Sequence, residues 1–203
     1  MARQRQTLDK SKKPTKEQAQ QQSQLYGILF VTGILIIAAL AIYFFVIDVE
    51  QPLPELNADF DVASVPDNSV AYESAGRSHI PDSQPREYNS NPPTSGNHNP
   101  RWITPIGTFT EELNEYMLVH NLEHGHVWLS YRDAGDTEAI ALLRAIQEKY
   151  PDRTIVTYRP ANDTRIAAAA WTRLLTLDEL DSDQLEAFIV RWSDNAPESI
   201  MEG

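Results

Sequence analysis

Four of the five histidines fall in two short segments, Ser95-Gly96-Asn97-His98-Asn99-Pro100 and His120-Asn121-Leu122-Glu123-His124-Gly125-His126, and the fifth, His79, lies just upstream. Imidazoles at this density, with a carboxylate between two of them, form a donor set suited to a transition metal. The chain has no cysteine. Thiolate metal sites, thiol catalysis and disulfides are therefore excluded, and an imidazole-and-oxygen site for copper or zinc is what the residues allow. His120 and His124 are the first candidate ligands, His98 the next, and His79 and Glu123 complete the candidate metal set. Asn97, Asn99 and Asn121 can support such a site by hydrogen bonds or merely serve turns. The bland alternative for each imidazole is a hydrogen-bonded core histidine, and the clustering argues against that for the group.

The string His120-x-x-Glu123-His124 also fits the H-x-x-E-H pattern of inverted zinc peptidases. There the two histidines bind the metal and the glutamate is the general base. On that reading Glu123 is catalytic, and a further ligand is needed downstream, for which Glu186 and Glu198 are available. A closed site of four protein ligands would exclude it. No serine nucleophile elbow and no glycine-rich phosphate loop is present.

The elements that must position these residues begin with an anchor. Leu25–Ile47 is an uncharged apolar run of 23 residues, enough at ~1.5 Å per residue to span the ~30 Å hydrocarbon core. Six basic residues stand against two acidic ones in positions 1–24, a net +4, and the segment after the run opens with Asp48 and Glu50. The positive-inside rule then places the N-terminus in the cytoplasm and the remainder outside the cell membrane. A cleaved signal peptide is the competing reading. The run is too long for one, and the residues after Phe44 offer no small-residue cleavage site.

The expected division is a polar cytoplasmic tail (1–24), a transmembrane helix (25–47), a proline-containing spacer (48–66) and an extracytoplasmic His-cluster domain (67–203). The whole chain carries −12, so residues 25–203 carry −16. Nucleic acid is a poor partner for so acidic a domain. The membrane, and with it a membrane protein complex, is the natural one.

Within the domain, residues 77–107 hold Pro81, Pro85, Pro92, Pro93, Pro100 and Pro105 among many Asn, Ser and Gly, which rules out long helices there. Alternation predicts strands at 126–131 and 153–158. Capped, helically spaced apolar residues predict helices from Asp136 or Thr137 to Tyr150 and from Asp181–Asp183 to Trp192. Residues 165–177 fit helix or strand.

Two arrangements fit 111–124. One is a helix with a Thr108/Glu111 capping box and a Gly125 stop. The other, slightly preferred because a strand follows Gly125 at once, is a strand or tight turn. His126 is placed on the strand face turned to solvent. The fold class is α+β: one transmembrane helix, then a small mixed sheet with two or three covering helices.

Asn91-Pro-Pro-Thr-Ser-Gly-Asn-His98 with Trp102 and Gly107, followed by Val119-His-Asn-Leu-Glu-His-Gly125, resembles the bacterial domain of unknown function 3105, over roughly residues 65–198. His79-Ile80 and Ala170-Trp171 fit the resemblance as well. It implies an N-terminal membrane anchor, an extracytoplasmic domain, and site residues among His98, His120, Glu123 and His124. His79 is a weaker fit and His126 a variable position. The resemblance brings no established activity.

Overall fold

The computed structural model describes residues 15–47 and 52–200, and the chain divides into two compact units, Met1–Gln51 and Pro52–Gly203. The first contains helix α1 (Lys16–Ile47). Thr15 and Gln18 start it with a reciprocal capping box, each side chain accepting from the other's backbone N–H, so two of the helix's unpaired donors are satisfied. Lys16–Ala39 is long and apolar enough to cross a membrane. The helix begins upstream of the apolar run and includes the polar Lys16–Gln24.

The second unit is built on a five-stranded sheet in the order β1-β5-β4-β2-β3. Its strands are β1 (Val70–Ala71), β2 (Val127–Tyr131), β3 (Thr154–Tyr158), β4 (Ile166–Ala170) and β5 (Arg173–Leu177). β2 and β3 run parallel, joined by helix α3 (Thr137–Lys149), and the other pairs are antiparallel. A parallel pair needs such a crossover, and the periodic segment after Asp136 supplies it. Helix α4 (Ser182–Trp192) follows β5.

Side chains alternate across a strand, so the sheet builds a core on each face. On one face Val127, Leu129, Tyr131, Val156 and Ile166 pack with α3 and α4. On the other, Trp128, Ile155, Ala167 and Ala169 pack with helix α2 (Glu115–Glu123) and with Tyr72, Tyr88, Ile103 and Phe109 from the irregular segments. Both faces of β2 are thus covered and all its residues are buried.

Three local readings are settled here. Residues 165–177 form the hairpin β4–β5, turning through Trp171 and Thr172. Strand β4 is buried on both faces, so it lacks the polar alternation that marks a half-exposed strand. Its alanines carry no period of either kind. The segment leading to Gly125 is a helix, not the preferred strand or turn. Its cap is Asn114, whose side chain accepts from the Tyr116 N–H at 2.9 Å, rather than a Thr108/Glu111 box. Gly125 does stop it, at φ +93°, where glycine alone is free of strain.

Candidate metal centre

The site lies on the α2 face of the sheet, where three segments meet. The proline-rich stretch contributes His79 and His98, joined by an isolated β-bridge. The Ile80 N–H donates to the His98 carbonyl at 2.8 Å, and the His98 N–H to the Ser78 carbonyl at 3.0 Å. Helix α2 contributes His120 and Glu123, one turn apart and so on one face.

The irregular chain is held by side chains in place of secondary structure. The Ser95 hydroxyl accepts from the Ala75 N–H, and the Asn97 side chain from the Ser78 N–H. Asn99 accepts from the Arg101 N–H and donates to Asp82. Asn121 clamps both backbone groups of Ile103, at 2.8 and 3.0 Å. The three asparagines are therefore the struts of the site, not donors to it.

His79, His98, His120 and Glu123 each turn one potential ligand atom inward, all within 4.8 Å of one another. His98, His120 and Glu123 are buried, while the His79 side chain is 44% exposed. In His98 and His120 the backbone makes the inward atom an acceptor. Nδ1 of His98 lies 2.7 Å from the Gly96 carbonyl, and Nδ1 of His120 lies 2.9 Å from that of Asn99. A carbonyl only accepts, so in the neutral ring Nδ1 carries the hydrogen and Nε2 a bare lone pair. Metal-binding imidazoles are oriented in this way, the ring N–H away from the metal donating to a carbonyl.

His98 Nε2 comes within 2.9 Å of Glu123 Oε2, and His79 Nε2 within 3.6 Å. Neither His98 Nε2 nor either Glu123 oxygen has a hydrogen-bond partner, although all three are buried. Lone pairs facing one another in a buried space require a proton or a cation between them. Burial holds the His98 and His120 imidazoles below the usual histidine range, keeping them neutral. Burial, and then the Glu198 charge, raises the Glu123 carboxyl. Arg77 approaches from the rim, 4.0 Å from Glu123 and 3.8 Å from Glu198. Ligands ~2.0–2.1 Å from a tetrahedral ion stand ~3.4 Å apart, and the 2.9 and 3.6 Å separations bracket that spacing. The group could hold a metal ion.

Of the remaining sequence candidates, His124 adjoins the group, its Nε2 2.9 Å from that of His120. His124 caps α2 outside the four-residue group, with Nδ1 2.9 Å from the Glu198 carbonyl. His126 is buried rather than solvent-facing, because both faces of β2 are covered. Its Nδ1 is directed at the Asn121 carbonyl. Glu198 keeps its carboxylate at the rim. Glu186 is fully buried against Lys149 and Tyr150, away from the histidines. Sequence reasoning did not single out Arg77, since one exposed arginine carries no pattern. Trp102, which follows the first histidine motif, stands with its ring 4.6 Å from that of His124.

Residues 79–202 match the family described as Protein of unknown function (DUF3105), and the chain belongs to that family. No curated protein and no solved structure matches it.

Proposed function

We propose that this chain is a single-pass, membrane-anchored protein whose extracytoplasmic domain binds one divalent transition-metal ion, copper or zinc, through His79, His98, His120 and Glu123. The observation that carries the reading is the buried, partnerless set of His98 Nε2 and both Glu123 oxygens, beside imidazoles of His98 and His120 whose Nδ1 atoms are tied to backbone carbonyls. A carboxylate beside three imidazoles suits a divalent ion better than the soft monovalent state of copper. The anchor is Leu25–Ile47 within α1, and the basic residues before it support a cytoplasmic N-terminus.

Glu123 serves as a ligand in this proposal. Its side chain is 1% exposed and its Oε2 faces the imidazoles of His79 and His98, which suits coordination better than activation of a substrate water. This counts against the hydrolase alternative. A third role, as an accessory subunit of a membrane complex, predicts co-purification of that complex without metal.

The test is metal analysis of the full-length protein in detergent, with His98→Ala and His120→Ala as controls. One equivalent of copper or zinc is expected in the wild type and a small fraction of it in either variant. Full metal content in both variants would sink the proposal.

A further inference from the structure

His120 and His124 sit one helical turn apart, their rings stacked with centroids 4.8 Å apart and planes at 26°. Their Nε2 atoms are 2.9 Å from each other. Both Nδ1 atoms lie 2.9 Å from carbonyls, those of Asn99 and Glu198. With the hydrogen of each ring on Nδ1, facing its carbonyl, both Nε2 atoms present lone pairs to one point. Two ligands of a tetrahedral ion stand ~3.4 Å apart, so a small outward swing of the half-exposed His124 ring would open the 2.9 Å pair to a shared ion. His124 is half-buried, and the Trp102 ring covers it. The imidazoles form a row: His79 and His98, then His120, then His124, with neighbouring centroids 4.7–5.0 Å apart.

We infer that His120 and His124 form an outer coordination position through which a divalent transition-metal ion enters and leaves the buried set of His79, His98, His120 and Glu123. This rests on the metal-binding reading above. His120 Nε2 has one lone pair, so it serves one ion at a time. The outer position is a stage in exchange and adds no second ion. His124, half-exposed beside a single aromatic ring, can present the ion to an acceptor while His120 still holds it. The inner set alone would have to release its ion through His79.

The experiment uses the full-length protein in detergent micelles and Zn(II) as the probe. In histidine-15N-labelled wild type, the Nε2 resonances of both His120 and His124 are expected to move on titration, with saturation at one equivalent. Transfer of bound zinc to a coloured chelator is expected to slow about tenfold in His124→Gln, with little change in equilibrium affinity.

An unmoved His124 resonance overturns the inference and leaves the inner site standing, as does unchanged transfer in a folded His124→Gln. So does saturation at two equivalents. Failure of the wild type to bind zinc or copper overturns both readings. The wild-type spectra decide the matter even if His124→Gln does not fold.

Discussion

At the residue scale, Glu123 sets two demands against each other. A buried carboxylate among acceptors destabilises the metal-free fold, yet it is the one anionic donor for an ion. Glu123→Gln is therefore expected to raise the melting temperature of the metal-free protein and to weaken metal binding, readable by thermal denaturation with and without zinc. The pH dependence has two contributions of opposite sign. The folded Glu123 holds its proton more tightly than the unfolded chain, whose value is near 4.5. Its stabilising contribution is thus present at low pH and lost as pH rises through the elevated folded value. His98, His120 and His126 are held down by burial. The unfolded chain takes up their protons first, so stability falls as pH drops below about 6.5. Denaturant melts of metal-free protein should show both losses, and Glu123→Gln should remove only the loss on the rising side. Metal binding, which competes with protons for the same atoms, should weaken as pH falls.

At the scale of elements, the Asn121 clamp ties α2 to the segment carrying Trp102. Asn121→Ala leaves the Ile103 N–H and C=O without those partners, and a cost of about 2–3 kcal/mol is expected in chemical denaturation. Asp136 caps α3, accepting from the Ala139 N–H, and also receives two bonds from Arg165. Asp136→Ala is expected to cost about 1–2 kcal/mol.

The legibility of these elements differed for physical reasons. Helices α3 and α4 and strands β2 and β3 each carry a clear period and a cap or break, so each could be read in sequence. Strand β4 has alanines on both buried faces and no period to read. The pull toward a strand before Gly125 came from the short distance to β2. In the fold, His124 caps α2, Gly125 turns through positive φ, and β2 begins two residues later. The donor set was largely legible because imidazoles cluster in sequence. The contact of His124 with His120 was legible only on the helical reading, because a strand sets residues four apart ~13 Å from each other.

At the scale of the whole molecule, Pro52–Gly203 is a compact unit of its own, with its sheet and both cores inside it. A fragment beginning at Pro52 is expected to unfold cooperatively in solution and to bind metal as the full chain does, which calorimetry and metal analysis can check. In sealed vesicles of known orientation, protease should reach the domain from the extracytoplasmic side only. The cysteine-free composition acquires a further meaning beside the donor set. His79, His98 and His120 are separated by about twenty residues of chain at each step, and these intervals contain the proline-rich stretch. An ion gripping all three would close two large loops, restricting the unfolded ensemble much as disulfides do in small secreted domains. Such a crosslink, unlike a covalent one, opens under a chelator. Amide exchange across 77–107 would then quicken when the ion is withdrawn, while β2 and β3 keep their protection.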